Sequence, residues 1–515
     1  MAHAQLEVSV RDTVVLAIRR HARWLVPTLL TALAGLLRIV SLGHPHELVF
    51  DETYYVKDAW TLLHLGYESQ WPDGANESFL AGDTGVYSTD ASFVVHPPLG
   101  KWIIALGLAA LGADSGWGWR IGTAIVGTAL VPLLYVVARR LSGSVAIAGV
   151  AGLLLAVDSL AIAMSRVALL DGILAFFVLL GFWFVLLDVR SARDRVLRAG
   201  PSSWGPVVWA RPWLLAAGVA FGAASAVKWS GLYALAGVGV GLVVADALWR
   251  RRAGVREWYF SAILRQAPVT FVLLVPVAFL VYLVSWTGWL VTSGGYDRLS
   301  DANALVALWN YHKGVYGFHV GLSTSHPYAS PAWQWPLLLR PTAMWLSRPE
   351  VGSTTCGWSD DCIGVISSIP NPVVWYAGVA ATLFLVWLLV RTRRARYAFP
   401  LAGLAVTYVP WLLYPERTVF QFYTIAMLPF LVLALALALQ HLIREREPRL
   451  LPDPTDDEIA YATAVATRER RAWRAVVGVF LVVAVLSALF YLPLALGIVE
   501  PYPLWQLHNW MTSWV

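Results

Sequence analysis

Charge is the first thing this sequence lacks. Acidic and basic residues make up 14% of its 515 positions, against about a quarter in soluble domains. Hydrophobic residues reach 58% and mean hydropathy is +0.62, which excludes an ordinary soluble globule. Cysteine is nearly absent. Cys356 and Cys362 stand without other soft ligands, so a disulfide closing CGWSDDC is favoured over a metal or redox centre. No internal repeat, no low-complexity tract and no glycine-rich nucleotide loop between strand and helix is found. No cleavable signal peptide is evident either, since no small-residue cleavage site follows a short apolar core in the first thirty residues. The first apolar stretch is therefore expected to act as an uncleaved signal-anchor. The net charge of +6 is no nucleic-acid signal, since arginine clusters between apolar stretches orient membrane proteins.

What is abundant is apolar length and aromatic residues. Twenty-seven Trp and 20 Tyr suit a chain with two membrane interfaces to anchor. Crossing a bilayer takes about 17–25 mostly apolar residues. The sequence predicts about eleven such spans: Trp24–Leu42, Arg120–Ala138, Val145–Ala163, Leu169–Leu187, Trp213–Val227, Tyr233–Trp249, Pro268–Trp289, Val373–Val390, Tyr397–Leu413, Val419–Leu442 and Ala475–Leu496. Arg11, Arg19, Arg20 and Arg23 place the N-terminus in the cytoplasm, and the C-terminus then lies outside. His96–Gly112 is short, opens on Pro-Pro and holds Lys101, so it reads as an interfacial or re-entrant helix. Counting it as a span would put Arg139-Arg140, Arg250–Arg252 and Arg391–Arg396 outside. The expected architecture is an all-α polytopic membrane protein. Residues 1–442 form a transmembrane module with outer loops at 43–119 and 290–371. Residues 443–474 form a charged cytoplasmic segment, a solvated linker with a short amphipathic helix, and 475–515 hold the last span and an outer tail.

This topology gathers chemistry on one face. Asp51 and Glu52 follow the first span, beside Tyr54 and Tyr55. One carboxylate could take a proton from an attacking hydroxyl while the other orients a partner; a solvated acidic turn is the bland alternative. Arg38 lies about a turn inside the first span, where it could snorkel to headgroups or pair with Glu52. Arg120 and Lys228, at outer span ends, could hold an anionic headgroup or merely anchor to lipid. His96 and Lys101 flank HPPLGK and could line a phosphate or sugar pocket. Asp171, five residues after Arg166, is expected to form a structural pair with it. In the long loop, His312, His319 and His326 match no zinc spacing. Tyr328, Trp333 and Trp335 could stack on a sugar or peptide, or anchor the loop. Asn76-Glu77-Ser78 fits a glycosylation acceptor pattern.

The ordered series of these motifs resembles the protein O-mannosyltransferase family over nearly the whole chain. It comprises Asp51-Glu52 with Arg38 upstream, HPPLGK at His96–Lys101, Arg120, SRVALLDGIL at Ser165–Leu174 and AVKWSGLY at Ala226–Tyr233. SHPYASPAWQWPLLLRP at Ser325–Pro341 and PERTVFQFYTIAMLPFL at Pro415–Leu431 complete it. The resemblance implies the C-type glycosyltransferase membrane fold and a mannose donor on polyprenyl monophosphate. It also implies acceptor Ser or Thr hydroxyls on proteins leaving the secretion channel, and inversion at the anomeric carbon. Asp51 would be general base, Glu52 would position Arg38 or the sugar, and Arg38, Arg120 and Lys228 would stabilise the departing phosphate. Because these cations can do the work of a metal, no cofactor is expected. About eighty residues of outer loop cannot hold the β-trefoil (MIR) domain of eukaryotic relatives, so the chain looks like the shorter bacterial, actinobacterial form. Its expected place is the plasma membrane, with the site facing outside. The rival readings are a transferase of the same fold moving another sugar to glycan or lipid, and a transporter. Transporters often show internal repeats, and here the charges favour one face.

Overall fold

The computed structural model describes residues 10–358, 361–444 and 455–515. Helix α1 (Val10–Ile39) leads into a loop bearing α2 (Glu52–Leu65), α3 (Ala75–Leu80) and α4 (Leu99–Leu111). A bundle follows: α5 (Gly116–Ser142), α6 (Val145–Ala156), α7 (Ser159–Arg166), α8 (Leu170–Ala199), α9 (Pro212–Val227) and α10 (Gly231–Arg252). Next, α11 (Trp258–Phe260) runs through a π-turn into α12 (Ala267–Ser285), followed by α13 (Thr287–Val291) and α14 (Ala304–Gly321). Strands β1 (Ala343–Ser347) and β2 (Cys362–Ser367) precede α15 (Pro372–Thr392), α16 (Ala395–Tyr408), α17 (Leu428–Ile443) and α18 (Asp456–Leu496). The chain closes with β3 (Val499–Pro501) and α19 (Tyr502–His508).

Among the described residues, seven helices are long and apolar enough to cross a membrane, or eight if α6 and α7 form one broken span. Those two bend by 56° where the sequence predicts a continuous helix. Asp158 is the cause. Its carboxylate accepts from the Ala161 N–H at 3.1 Å, capping α7, and from the Asn371 N–H at 3.0 Å, so the chain restarts there. Trp213–Val227 is the 16-residue α9, as read, but two of the eleven expected spans hold shorter α-helices. Tyr397–Leu413 is α16 running into a 3-10 turn at Val409. Val419–Leu442 opens as a 3-10 turn before the 16-residue α17. Every residue from Leu428 to Leu439 in α17 is buried, which is how an all-round apolar helix behaves at the centre of a bundle. His96–Gly112 contains the short α4, as read. The charged segment differs: residues 445–454 lie outside the described residues, but from Asp456 a single 41-residue helix runs through to Leu496. A Thr455/Glu458 capping box starts it, so among the described residues of this segment there is no separate short helix.

The long loop carries α14 and an antiparallel sheet in the order β1-β2-β3. Cys356 and Cys362 are joined, closing the turn that enters β2. β3 belongs to the C-terminal tail, which also binds the loop through the Trp514 indole on the Leu338 carbonyl at 2.6 Å. Cys362→Ser is expected to destabilise this sheet by about 2 kcal/mol, from the loop entropy of a short ring. Limited proteolysis between β1 and β2 measures it.

Candidate active site

The Asp51 turn is built from its neighbours upward. Phe50 sits at φ +52°, a left-handed conformation costing a non-glycine residue about 1–2 kcal/mol. Its ring is held edge-on by Phe420 and Phe422, each at 5.7 Å, and by His326 at 6.1 Å. Asp51 then starts α2, but its carboxylate does not cap the helix; Oδ2 accepts only a long 3.5 Å bond from the Tyr55 hydroxyl. Burial pushes the Asp51 carboxyl up to about 6, with the Lys228 charge pulling it down and Asp171 pushing it up. Asp51 is thus a weakly held carboxylate, less acidic than a solvated one.

Glu52 behaves differently. It is completely buried and accepts four bonds: Arg120 Nε on Oε1 and Arg120 Nη2 on Oε2, both at 2.8 Å, the Val49 N–H at 2.8 Å and the Ala168 N–H at 2.7 Å. Arg120 spends its remaining donors on the carbonyls of Leu42, Pro45 and Glu47. Gly116 allows that reach, because a Cβ there would come within 2.9 Å of the Gly43 backbone. Glu52 and Arg120 therefore fasten the turn to the start of α5. Both are completely buried in this contact and neither lines the cavity described below, whereas the expectation put them at the sugar and the phosphate.

Other expected ligands are also absorbed by the scaffold. The Arg38–Glu52 pair does not form. Arg38 is buried, donating to Ser165 Oγ and to the carbonyls of Leu155 and Ala156 freed where α6 ends. Arg166 does not pair with Asp171. It caps the end of α1 through the carbonyls of Val40 at 2.7 Å and Ser41 at 2.8 Å. Lys101 is buried against Glu68 and, at 3.7 Å, Asp58, which removes it from phosphate binding. Trp335 is core, its indole N–H on the Ser330 carbonyl, whereas Trp333 and Tyr54 are exposed and Tyr55 is buried. Tyr328 lies under the Arg340 guanidinium at 5.0 Å.

What the fold does bring together is Lys228, Asp171, His96 and one residue not assigned from the sequence, Arg417. Lys228 ends α9 in an extended conformation, and its Nζ bonds both Asp171 oxygens at 2.9 and 3.0 Å. The Tyr423 ring covers it at 4.4 Å. Lys228, Arg417, His96 and His319 line one cavity of about 730 Å³, whose other walls are apolar residues of α10 and α12 and the side of α14. Burial and the nearby cations hold the His96 imidazole well below its usual range. The arrangement suits an anionic headgroup with an apolar tail. Arg417 carries one legible signal: it lies in the quoted PERTVF stretch with no orienting role on the other face.

The fold and this cation-lined cavity define a multi-pass membrane protein with an anion-suited site at one end of its helical bundle. The fold matches a chain of the S. cerevisiae protein O-mannosyltransferase Pmt1-Pmt2 complex bound to the sugar donor at a TM-score of 0.66. That match covers 95% of this chain and 92% of the other at 16% identity, a likeness of fold. Residues 28–291 match the family "Dolichyl-phosphate-mannose-protein mannosyltransferase", and 304–514 match the "C-terminal four TMM region of protein-O-mannosyltransferase". Polyprenol-phosphate-mannose–protein mannosyltransferases of Mycolicibacterium smegmatis and Mycobacterium tuberculosis are 31% and 30% identical, each over 95% of this chain. These alignments cover 93% and 92% of the relatives. The chain belongs to the dolichyl-phosphate-mannose–protein mannosyltransferase family.

Proposed function

We propose that this protein transfers mannose from a polyprenyl-phosphate-mannose donor to Ser or Thr hydroxyls of secreted or membrane proteins, with inversion. The observation that carries this is the weakly held Asp51 carboxylate close to the Lys228–Asp171 pair, whose Lys228 lines a cavity with an apolar body and a cationic end. The polyprenyl chain lies along α10 and α12, and its phosphate meets Lys228 and Arg417. Asp51 takes the acceptor proton as the hydroxyl oxygen attacks the anomeric carbon. The bond to phosphate breaks on the opposite side, and its electron pair stays on the phosphate oxygen, stabilised by the two cations. A phosphate leaves as a stable anion, so no general acid is needed, and we propose that no metal is either.

The arginine-rich ends of α5, α10 and α15 lie opposite the Asp51 end, which supports a site outside the plasma membrane. About eleven spans, with α9, α16 and α17 counted, fit this orientation. Acceptors would reach it as extended chains from the secretion translocon.

Transfer of labelled mannose from polyprenyl phosphate to a Ser/Thr peptide, with the anomer read by NMR, tests the reading. Label appearing only in lipid or glycan, or a retained anomer, would overturn it. Lys228→Ala is expected to raise the donor KM at least about tenfold, as for loss of a charge-assisted phosphate contact, with the peptide KM unchanged.

A further inference from the structure

His319 lies on α14, two turns beyond His312, and is not part of the chemistry above. Its ring bridges two elements distant in sequence. Nε2 faces the Val95 carbonyl at 3.0 Å, and Nδ1 faces Nη2 of Arg417, also at 3.0 Å. A carbonyl can only accept and a guanidinium can only donate, so the neighbours settle the tautomer: the proton is on Nε2 and the Nδ1 lone pair receives Arg417. The ring also stacks on His96 at 5.6 Å and meets the Trp229 ring at 5.6 Å. Burial, together with the charges of Arg417 and Lys228, pushes the imidazole down to about 4, which keeps Nδ1 an acceptor across the neutral range.

Arg417 needs such a partner. Its guanidinium carbon stands 5.4 Å from the Trp411 ring centre, and its Nε is buried without a hydrogen-bond partner. An arginine held by one face and one arm keeps donors available to a planar or tetrahedral anion, where a free arginine would first lose rotamer freedom. The Val95 carbonyl that anchors the histidine lies immediately before the His96-Pro97-Pro98 turn, so the contact couples that turn to the Arg417 loop through α14.

We propose that His319 is a positioning residue: as a neutral acceptor it holds Arg417 in place at the cavity for the donor phosphate. This rests on the reading that Arg417 meets that phosphate, and the test separates the two. The full-length protein is reconstituted in vesicles of zwitterionic and anionic phospholipid. Steady-state transfer is measured with a synthetic polyprenyl-phosphate-mannose and a Ser/Thr peptide, varying each in turn. Arg417→Lys and His319→Leu should each raise the donor KM at least about tenfold, the size expected for losing a hydrogen bond to a charged group, and leave the peptide KM unchanged. His319→Asn places its carbonyl oxygen where Nδ1 stood and should recover most of the donor affinity. His319→Gln puts its amide nearer the Nε2 position and should behave like His319→Leu.

An unchanged donor KM in Arg417→Lys would remove the phosphate reading, and this inference with it. An impaired Arg417→Lys beside a His319→Leu within about twofold of wild type would overturn the inference alone. Should His319→Leu fail to fold, the comparison of the Asn and Gln variants decides: recovery in Asn only supports the proposal, and equal donor KM values overturn it.

Discussion

Asp51→Asn should lower turnover by about 10²–10⁴, the range supplied by a positioned general base, while the protein still inserts and binds its lipid donor. The amide keeps the shape and the Tyr55 contact but cannot take the acceptor proton. Because burial raises the carboxyl to about 6, the wild-type kcat/KM should climb as pH rises through that value and level off above it. The stability sign is opposite. A carboxyl whose folded pKa lies above its unfolded value stabilises the fold most at pH below the unfolded value, and that contribution is lost as pH rises through about 6. Asp51→Asn removes this dependence and should not lower the unfolding midpoint at pH 7–8. Near-normal turnover in the variant, or a flat wild-type profile between pH 5 and 7, would remove Asp51 from its role.

Glu52→Gln acts on the fold. It leaves the Arg120 guanidinium buried with part of its charge unmatched, and breaking a buried pair this way costs about 3–5 kcal/mol. The expected result is a lower unfolding midpoint in detergent, with donor affinity and turnover failing together because the Phe50–Asp51 turn is no longer held. Arg120→Lys should fall in the same class, since one ammonium cannot replace a fork that also satisfies three carbonyls. A Glu52→Gln protein with wild-type stability but no turnover would return Glu52 to direct contact with substrate.

The two adjacent acids look alike in the chain, and only their partners separate them. The order of motifs, the membrane character and the opening acid were legible, because each is carried by a short run of residues. The roles of the cations were not. Arg38, Arg120, Arg166 and Lys101 all sit near the ends of apolar stretches, as a phosphate ligand would, yet each is used up on backbone carbonyls or buried acids. Arg417 showed the reverse: it was given no role from the sequence, yet it lines the cavity. The break at Asp158 was also hidden, since an acid in an apolar run reads equally as a ligand or a cap.

By itself the sequence determined that this is a multi-pass membrane protein, which apolar lengths to consider and which stretch holds the adjacent acids Asp51 and Glu52. Hydropathy and arginine bias are sums over neighbouring residues, so they survive without a fold. The tertiary structure alone decided which charges are consumed and which remain available. Glu52 meets Arg120 across 68 positions and Asp171 meets Lys228 across 57. Buried charges must be matched in space, and no local pattern states who their partners will be.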